Sequence, residues 1–138
     1  MTETTVRVNY SETDQMGVVY HARYLVWMDV ARCEHIRHAG MSYAELERLG
    51  FRFAVGELRI RYRQPARYDD LVRVRCWVRE AASRRIIFGY ALDVPERNEL
   101  VATAETAMLV LGPDFAWARL PSEVLRLLAP EADPVRLF

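Results

Sequence analysis

The stretch Tyr10-Ser-Glu-Thr-Asp14-Gln-Met-Gly17-Val-Val-Tyr-His21 joins a short predicted strand to a long apolar segment. It places an acidic loop and a glycine turn directly before the start of a helix. The first turn of a helix has backbone N–H groups without partners and carries the positive end of the helix dipole. A carboxylate there stays ionised, and the free donors can hold a developing oxyanion. The stretch therefore predicts a loop–helix junction equipped for hydrolysis.

The segment after this junction has the length and composition of an α-helix. It runs from His21 to His38, and Gly40 supplies a C-terminal cap. At about 100° per residue, one face of this helix is apolar, and further apolar residues extend around it. That face comprises Ala22, Leu25, Val26, Cys33 and Ile36. A helix that is apolar nearly all round is expected to be buried.

A different pattern follows the helix. Ser42-x-x-Glu45 is a capping box that predicts a second, short helix, which Gly50 ends. Beyond Gly50, apolar and polar residues alternate, which is the period of a half-exposed strand. Four such strands are predicted, together with a closing helix at 121–129 and a loose tail at 130–138.

The order of these elements predicts one α+β domain over residues 1–138, with an antiparallel sheet of about five strands packed on one long helix. The first of these strands is expected at Thr5 to Asn9. So short a chain cannot cover both faces and both edges of such a sheet. A homodimer formed through strand edges is the simplest way to hide what remains.

The composition excludes several classes of function. The formal net charge is +0, which argues against a nucleic-acid-binding protein or a polybasic membrane anchor. No apolar run approaches the roughly 18 residues that a membrane span needs, and residues 1–10 lack a signal-peptide core. We expect a cytoplasmic protein. The side chains of Glu34, His35 and His38 do not converge on one point, so no metal site is expected. No bound cofactor is expected either.

Three motifs carry a family resemblance: Tyr10-x-x-Thr-Asp14-x-x-Gly17-Val-Val-Tyr-His21, Tyr24-x-x-x-Met-Asp29-x-Ala-Arg32-x-Glu34 and Tyr62-x-x-Pro65-Ala-x-Tyr-Asp-Asp70. They resemble the acyl-CoA thioesterases of the hotdog fold. Among these, the similarity is to the 4-hydroxybenzoyl-CoA thioesterase family and its relatives encoded beside the Tol-Pal system. The resemblance covers residues from about 7 to 112.

This resemblance implies a sheet wrapped around the helix, dimers that join their sheets edge to edge, and commonly a dimer of dimers. It implies that Asp14 matches the family's catalytic aspartate and that the backbone N–H near His21 polarises a thioester carbonyl. Arg84 and Arg85 match the place where the family uses basic residues for the CoA nucleotide. Gly17 and Tyr20 are expected to shape the turn.

The residues leave several roles open. Asp14 can attack the carbonyl, act as a base toward water, or only cap the helix. His21 can contribute its backbone N–H or its imidazole. Asp29 is either a second catalytic carboxylate or the ion-pair partner of Arg32. Arg84 and Arg85 are CoA contacts or solvated arginines in a turn.

These observations predict an acyl-CoA thioesterase that acts as a homodimer or homotetramer on an acyl or aroyl group whose identity stays open. One rival is a hotdog dehydratase or hydratase that acts on acyl thioesters. A second rival is a non-catalytic acyl-CoA-binding protein.

Overall fold

Five antiparallel strands and three α-helices form the structure, a computed structural model that describes all residues from 1 to 138. In chain order the elements are β1 (Thr2–Arg7), α1 (Arg23–Ala39), α2 (Tyr43–Arg48), β2 (Arg52–Tyr62), β3 (Leu71–Ala82), β4 (Arg85–Val94), β5 (Glu99–Leu111) and α3 (Ser122–Leu127). The predicted α+β class and the number of strands are confirmed, whereas the first strand is Thr2–Arg7 and not the predicted Thr5 to Asn9. No helix has the length and apolar character needed to cross a membrane.

The sheet has the order β1-β3-β4-β5-β2, and every neighbouring pair is antiparallel. Helix α1 packs on one face of this sheet, against β1 and β3. Strand β2 pairs only with β5 and forms one edge of the sheet. The half of the sheet next to β2 is therefore the less covered half.

Local signals in the sequence fix the ends of the helices. Gly40 ends α1 with a φ of 119°, in the left-handed region that glycine adopts without strain. At the start of α2, the Ser42 side chain accepts a hydrogen bond from the Glu45 N–H. Both helix boundaries were predicted from these residues.

The predicted burial of α1 is only half right. Tyr24, Trp27, Met28, Ala31 and Ile36 are buried against the sheet. On the expected apolar face, however, Leu25 is 37% exposed and Val26 is 52% exposed. One side of the helix packs on β1 and β3. No other part of the chain covers the opposite side, where Leu25 and Val26 lie.

The segment 131–138 is not the loose tail that the sequence predicted. It crosses the outer face of the sheet, opposite α1, and covers Trp77 completely. The indole Nε1 of Trp77 donates to the Asp133 carboxylate at 2.9 Å. Arg79 donates to both oxygens of the same carboxylate, at 2.9 and 2.8 Å. Leu137 packs against Trp77 and Ala91.

Gly89 makes room for the Trp77 ring, and its replacement gives a test of this packing. A Cβ at position 89 would lie 2.6 Å from the ring. Because Trp77 is fully buried and cannot move aside, Gly89→Ala is expected to destabilise the fold by about 1–3 kcal/mol. Urea unfolding would measure the loss. In a Trp77→Leu background the same substitution should cost much less, and an equal cost in both backgrounds would contradict the packing argument.

Candidate active site

Asp14 lies in a tight turn that fixes its carboxylate. Its backbone N–H donates to the Val18 carbonyl at 2.9 Å, and its carbonyl accepts the Gly17 N–H at 2.9 Å. Its Oδ1 accepts the Met16 N–H at 2.8 Å. Gly17 has a φ of 77°, which explains the glycine at this point of the turn. Oδ2 makes no hydrogen bond within the protein, so it can interact with a ligand.

The start of α1 supplies backbone donors without partners. The residue before the helix is Ala22, which has no side chain that can cap these donors. The Arg23 N–H donates to the Tyr20 carbonyl at 2.9 Å, whereas the N–H groups of His21, Ala22 and Tyr24 have no acceptor within the protein. Such donors can hold an oxyanion.

One cavity of about 310 Å³ contains both features. It lies between the Asp14 turn, the start of α1 and the end of β2, so it brings Asp14 and His21 together. Gly17 and Tyr20 stand outside its lining, which fits their expected role in shaping the turn. The lining residues are Asp14, Met16, Val18, Val19, His21, Tyr24, Tyr62, Arg63, Gln64 and Pro65.

Glu12 ties the Asp14 turn to the helix, and the sequence analysis did not single it out. Its Oε2 accepts the Trp27 indole N–H at 2.7 Å, and its Oε1 accepts the Asn9 N–H at 2.8 Å. Its carbonyl accepts the Tyr20 N–H at 2.9 Å. In the sequence, the only indication of this role was the position of Glu12 in the first motif, two residues before Asp14.

Two tyrosines close the cavity beside these groups. The Tyr62 hydroxyl donates to the His21 carbonyl at 2.8 Å, and the Tyr24 hydroxyl accepts the Ala66 N–H at 3.2 Å. Burial raises the pKa of Tyr24, and the charge of the nearby Asp14 adds to that rise. Burial also raises the pKa of Tyr62. Both phenols therefore stay protonated at neutral pH and can act as donors but not as bases.

Asp29 stands outside the cavity. Its side chain is 62% exposed and forms an ion pair with Arg32. Arg32 also donates to the Tyr90 hydroxyl at 3.2 Å. The geometry fits the interpretation of Asp29 as a partner of Arg32, although the carboxylate is exposed and not buried. No group of three or more His, Cys, Asp or Glu side chains in the structure is arranged to hold a metal ion.

Arg84 and Arg85 lie at the other end of the sheet from the cavity. Arg85 is paired with Leu109 on β5, whereas Tyr62, at the cavity, is paired with Ala102. Seven residues along a strand span about 24 Å. A single chain therefore does not bring these arginines to Asp14, and their role as CoA contacts stays a prediction.

Comparison with known proteins adds an independent line of support. The model of the thioesterase-like superfamily matches residues 8–127. An acyl-CoA thioesterase of Haemophilus influenzae, YbgC, is 40% identical over 111 residues, which cover 78% of this chain and 79% of that protein. YneP of Bacillus subtilis, named for acyl-CoA thioesterase activity, is 38% identical over 90 residues, or 65% of each chain.

A solved structure extends the likeness to three dimensions. The Thermus thermophilus protein TT1821 superposes with a TM-score of 0.86 at 36% identity, over 93% of this chain and 97% of that one. The five-stranded sheet and the long helix correspond to the hotdog fold that the sequence motifs implied. The chain therefore belongs to the thioesterase-like superfamily and is a thioesterase of the hotdog fold.

Proposed function

We propose that this protein hydrolyses the thioester of an acyl-CoA or aroyl-CoA to the free acid and CoA. The observation that carries this proposal is the cavity in which the Asp14 carboxylate meets the free N–H groups at the start of α1. The acyl-CoA thioesterases of Haemophilus influenzae and Bacillus subtilis support the choice of CoA as the thiol. The cytoplasmic location and the link to Tol-Pal genes stay predictions.

In the proposed mechanism, the thioester carbonyl oxygen accepts hydrogen bonds from the N–H groups near His21. These donors stabilise the negative charge that develops on this oxygen when the carbonyl carbon is attacked. A thiol has a pKa of roughly 8.5, so CoA departs largely as the thiolate and needs no strong general acid. Because the thiolate leaves easily, one carboxylate and a few backbone N–H donors are enough for hydrolysis.

Two routes use the Asp14 carboxylate differently. In the first, Oδ2 attacks the carbonyl carbon, the C–S bond breaks, and water later hydrolyses the mixed anhydride to restore Asp14. In the second, Asp14 takes a proton from a water molecule, whose oxygen attacks the carbonyl carbon; the C–S bond then breaks and releases the acid and the CoA thiolate. The free Oδ2 is compatible with both routes.

The second part of the proposal is a homodimer formed by antiparallel pairing of two β2 strands. Strand β2 has no neighbour on its outer side, and its inner-facing Val55 and Leu58 are 56% and 41% exposed. Leu25 and Val26 of α1 are exposed as well, so the chain leaves apolar side chains uncovered on the helix and beside an open strand edge. A homotetramer would be a pair of such dimers.

This pairing would also explain the position of Arg84 and Arg85. Two antiparallel β2 strands place the start of one beside the end of the other. The partner subunit's Arg85 would then approach this chain's cavity from across the interface. In this arrangement, the CoA nucleotide would contact arginines of the subunit that does not supply Asp14.

The role of Asp14 has a direct test. Asp14→Asn should lower kcat by roughly 10² to 10⁴, because the amide can neither attack nor take a proton. A panel of acyl-CoAs with a thiol reagent would measure CoA release and identify the acyl group. Asp29→Asn, outside the cavity, is the matched control and should keep wild-type kcat. Full turnover by a folded Asp14→Asn variant would refute the assignment, and hydration of an enoyl-CoA without thiol release would favour the hydratase alternative.

Glu12 is expected to act as a positioning residue. Glu12→Ala removes the acceptor for both Trp27 and Asn9, so the Asp14 turn should shift relative to α1, and kcat should fall by about 10- to 100-fold. Glu12→Gln keeps one acceptor and should lose less. The pH profile of kcat should be unchanged in both variants, since Asp14 is still present. Wild-type kcat in Glu12→Ala would rule out this role.

The dimer can be tested at its exposed strand. Sedimentation velocity should show a multiple of the 16.1 kDa chain, and Leu58→Arg should lower the mass toward one chain because it buries a charge at the interface. Leu127→Arg is the control, because Leu127 is similarly exposed, at 37% against 41%, but lies on α3. A wild-type protein that sediments as a single chain would contradict the proposed assembly.

A further inference from the structure

The peptide group between His21 and Ala22 has a single hydrogen bond to the rest of the protein. Its carbonyl oxygen, on His21, accepts the Tyr62 hydroxyl at 2.8 Å. In a continued helix the Leu25 N–H would bind this oxygen, but it donates to the Ala22 carbonyl at 3.3 Å instead. The Ala22 N–H has no acceptor within the protein. The orientation of this peptide group therefore depends on Tyr62.

The preceding peptide group, between Tyr20 and His21, is fixed by the backbone alone. Its carbonyl oxygen, on Tyr20, accepts the Arg23 N–H at 2.9 Å, and the His21 N–H stays free. The two hydrogen bonds lie on either side of the His21 Cα. One orients the peptide group that carries the His21 N–H, and the other orients the group that carries the Ala22 N–H. Tyr62 thus completes the fixation of the donors that precede α1.

Tyr62 is itself held by the sheet and by aromatic contacts. It is the last residue of β2 and is paired with Ala102 on β5. Its ring packs edge-on against the Tyr24 ring, with centroids 5.4 Å apart, and lies 6.4 Å from the His21 ring. A side chain that is already packed loses little freedom when its hydroxyl binds. The hydroxyl can therefore hold the peptide group in one orientation.

The hydrogen bond from Tyr62 also changes the strength of the donor behind it. The hydroxyl must donate, because a carbonyl oxygen has no proton to give, and burial raises the pKa of Tyr62, so the phenol keeps its proton at neutral pH. The His21–Ala22 peptide is trans, so its C=O and N–H point in opposite directions. A donor on the C=O polarises the peptide group and makes its N–H a stronger donor. Tyr62 therefore both directs and strengthens the Ala22 N–H.

We propose that Tyr62 is a positioning residue for the oxyanion. Its hydroxyl holds the His21–Ala22 peptide group so that the free N–H groups near His21 keep one orientation toward the thioester carbonyl oxygen. This inference rests on the proposed function. Tyr62 acts through the peptide group and transfers no proton to the substrate. Its effect is greatest in the transition state, where the negative charge on the carbonyl oxygen develops.

Removal of the hydroxyl alone tests this role. Tyr62→Phe keeps the aromatic ring and loses the hydrogen bond, so kcat should fall by about 10-fold, less than for the loss of a whole oxyanion donor. KM should change by less than about twofold, because the bound ester carries little charge on its oxygen. The pH profile of kcat should keep its shape, since Tyr62 transfers no proton. Wild-type kcat, a loss confined to KM, or an altered pH profile would overturn the proposal.

Tyr43→Phe is the matched control. The Tyr43 hydroxyl accepts the Phe53 N–H at 2.9 Å, so this variant also loses one tyrosine hydroxyl with its hydrogen bond. Tyr43 belongs to α2 and stands outside the cavity. The variant should lose stability toward urea and keep wild-type kcat. An equal fall of kcat in Tyr43→Phe and Tyr62→Phe would reveal a general effect of lost stability and would contradict the positioning role.

The carbonyl group of a bound ester reports on the donors directly. The Asp14→Asn protein should bind an acyl-CoA without turnover, and its N–H donors should lower the C=O stretching frequency of an isotope-labelled thioester below the value in solution. Infrared difference spectra would measure this shift. Addition of Tyr62→Phe should reverse part of it, whereas addition of Tyr43→Phe should not. A carbonyl band that Tyr62→Phe leaves unchanged would refute the proposal.

Kinetics and spectroscopy together separate this inference from the proposed function. If the wild-type protein hydrolyses acyl-CoA but Tyr62→Phe changes neither kcat nor the carbonyl band, the role of Tyr62 fails alone. If the carbonyl band of a bound ester depends on Tyr62 but the wild-type protein hydrolyses no acyl-CoA, the proposed function fails alone.

Discussion

Two hydrogen bonds of Glu12 hold the Asp14 turn against the start of α1: its carbonyl accepts the Tyr20 N–H, and its carboxylate accepts the Trp27 indole N–H. Glu12 accepts the Trp27 indole N–H from the helix and the Asn9 N–H from the chain before the turn. Backbone hydrogen bonds close the stretch between Asp14 and His21, and the Glu12 side chain connects this stretch to the helix at Trp27. A charged acceptor with two donors forms stronger hydrogen bonds than a neutral one, so this link is well suited to hold the two segments together.

The proposed catalytic cavity and the proposed dimer surface lie next to each other, at the end of β2. Helix α1 covers the β1–β3 half of the sheet, and this leaves the β2 edge, Leu25 and Val26 uncovered. The cavity opens at the end of β2, at the border of this uncovered surface. Burial of the surface by a second copy would remove water from the mouth of the cavity. The electrostatic interactions of Asp14 and the oxyanion donors would then be stronger than in an isolated chain.

Features that depend on residues close together in the sequence were predicted correctly. Features that depend on contacts between distant parts of the chain were missed. Alternating strands, the Gly40 cap and the Ser42–Glu45 box are local, and all agree with the structure. The exposed face of α1 depends on which strands the helix covers, and periodicity does not contain that information. The packed tail was missed because Asp133 binds Arg79 across 54 residues of chain. Asp14 was identified because it belongs to a compact sequence motif. The role of Glu12 depends on its hydrogen bond to Trp27, 15 residues further along the chain, which the motif does not reveal.

The tail also connects the outer face of the sheet to the cavity. Arg63, which lines the cavity, donates to the Thr103 hydroxyl and to the carbonyls of Arg136 and Leu137. Thr103 in turn donates to the Leu137 carbonyl at 2.6 Å. All these acceptors are neutral, so they orient the guanidinium and leave its charge uncancelled. The end of β2 is thus held from both sides, by Tyr62 on the inner face and by the tail on the outer face. The tail, remote from Asp14 in sequence, therefore helps to set the shape of the cavity wall.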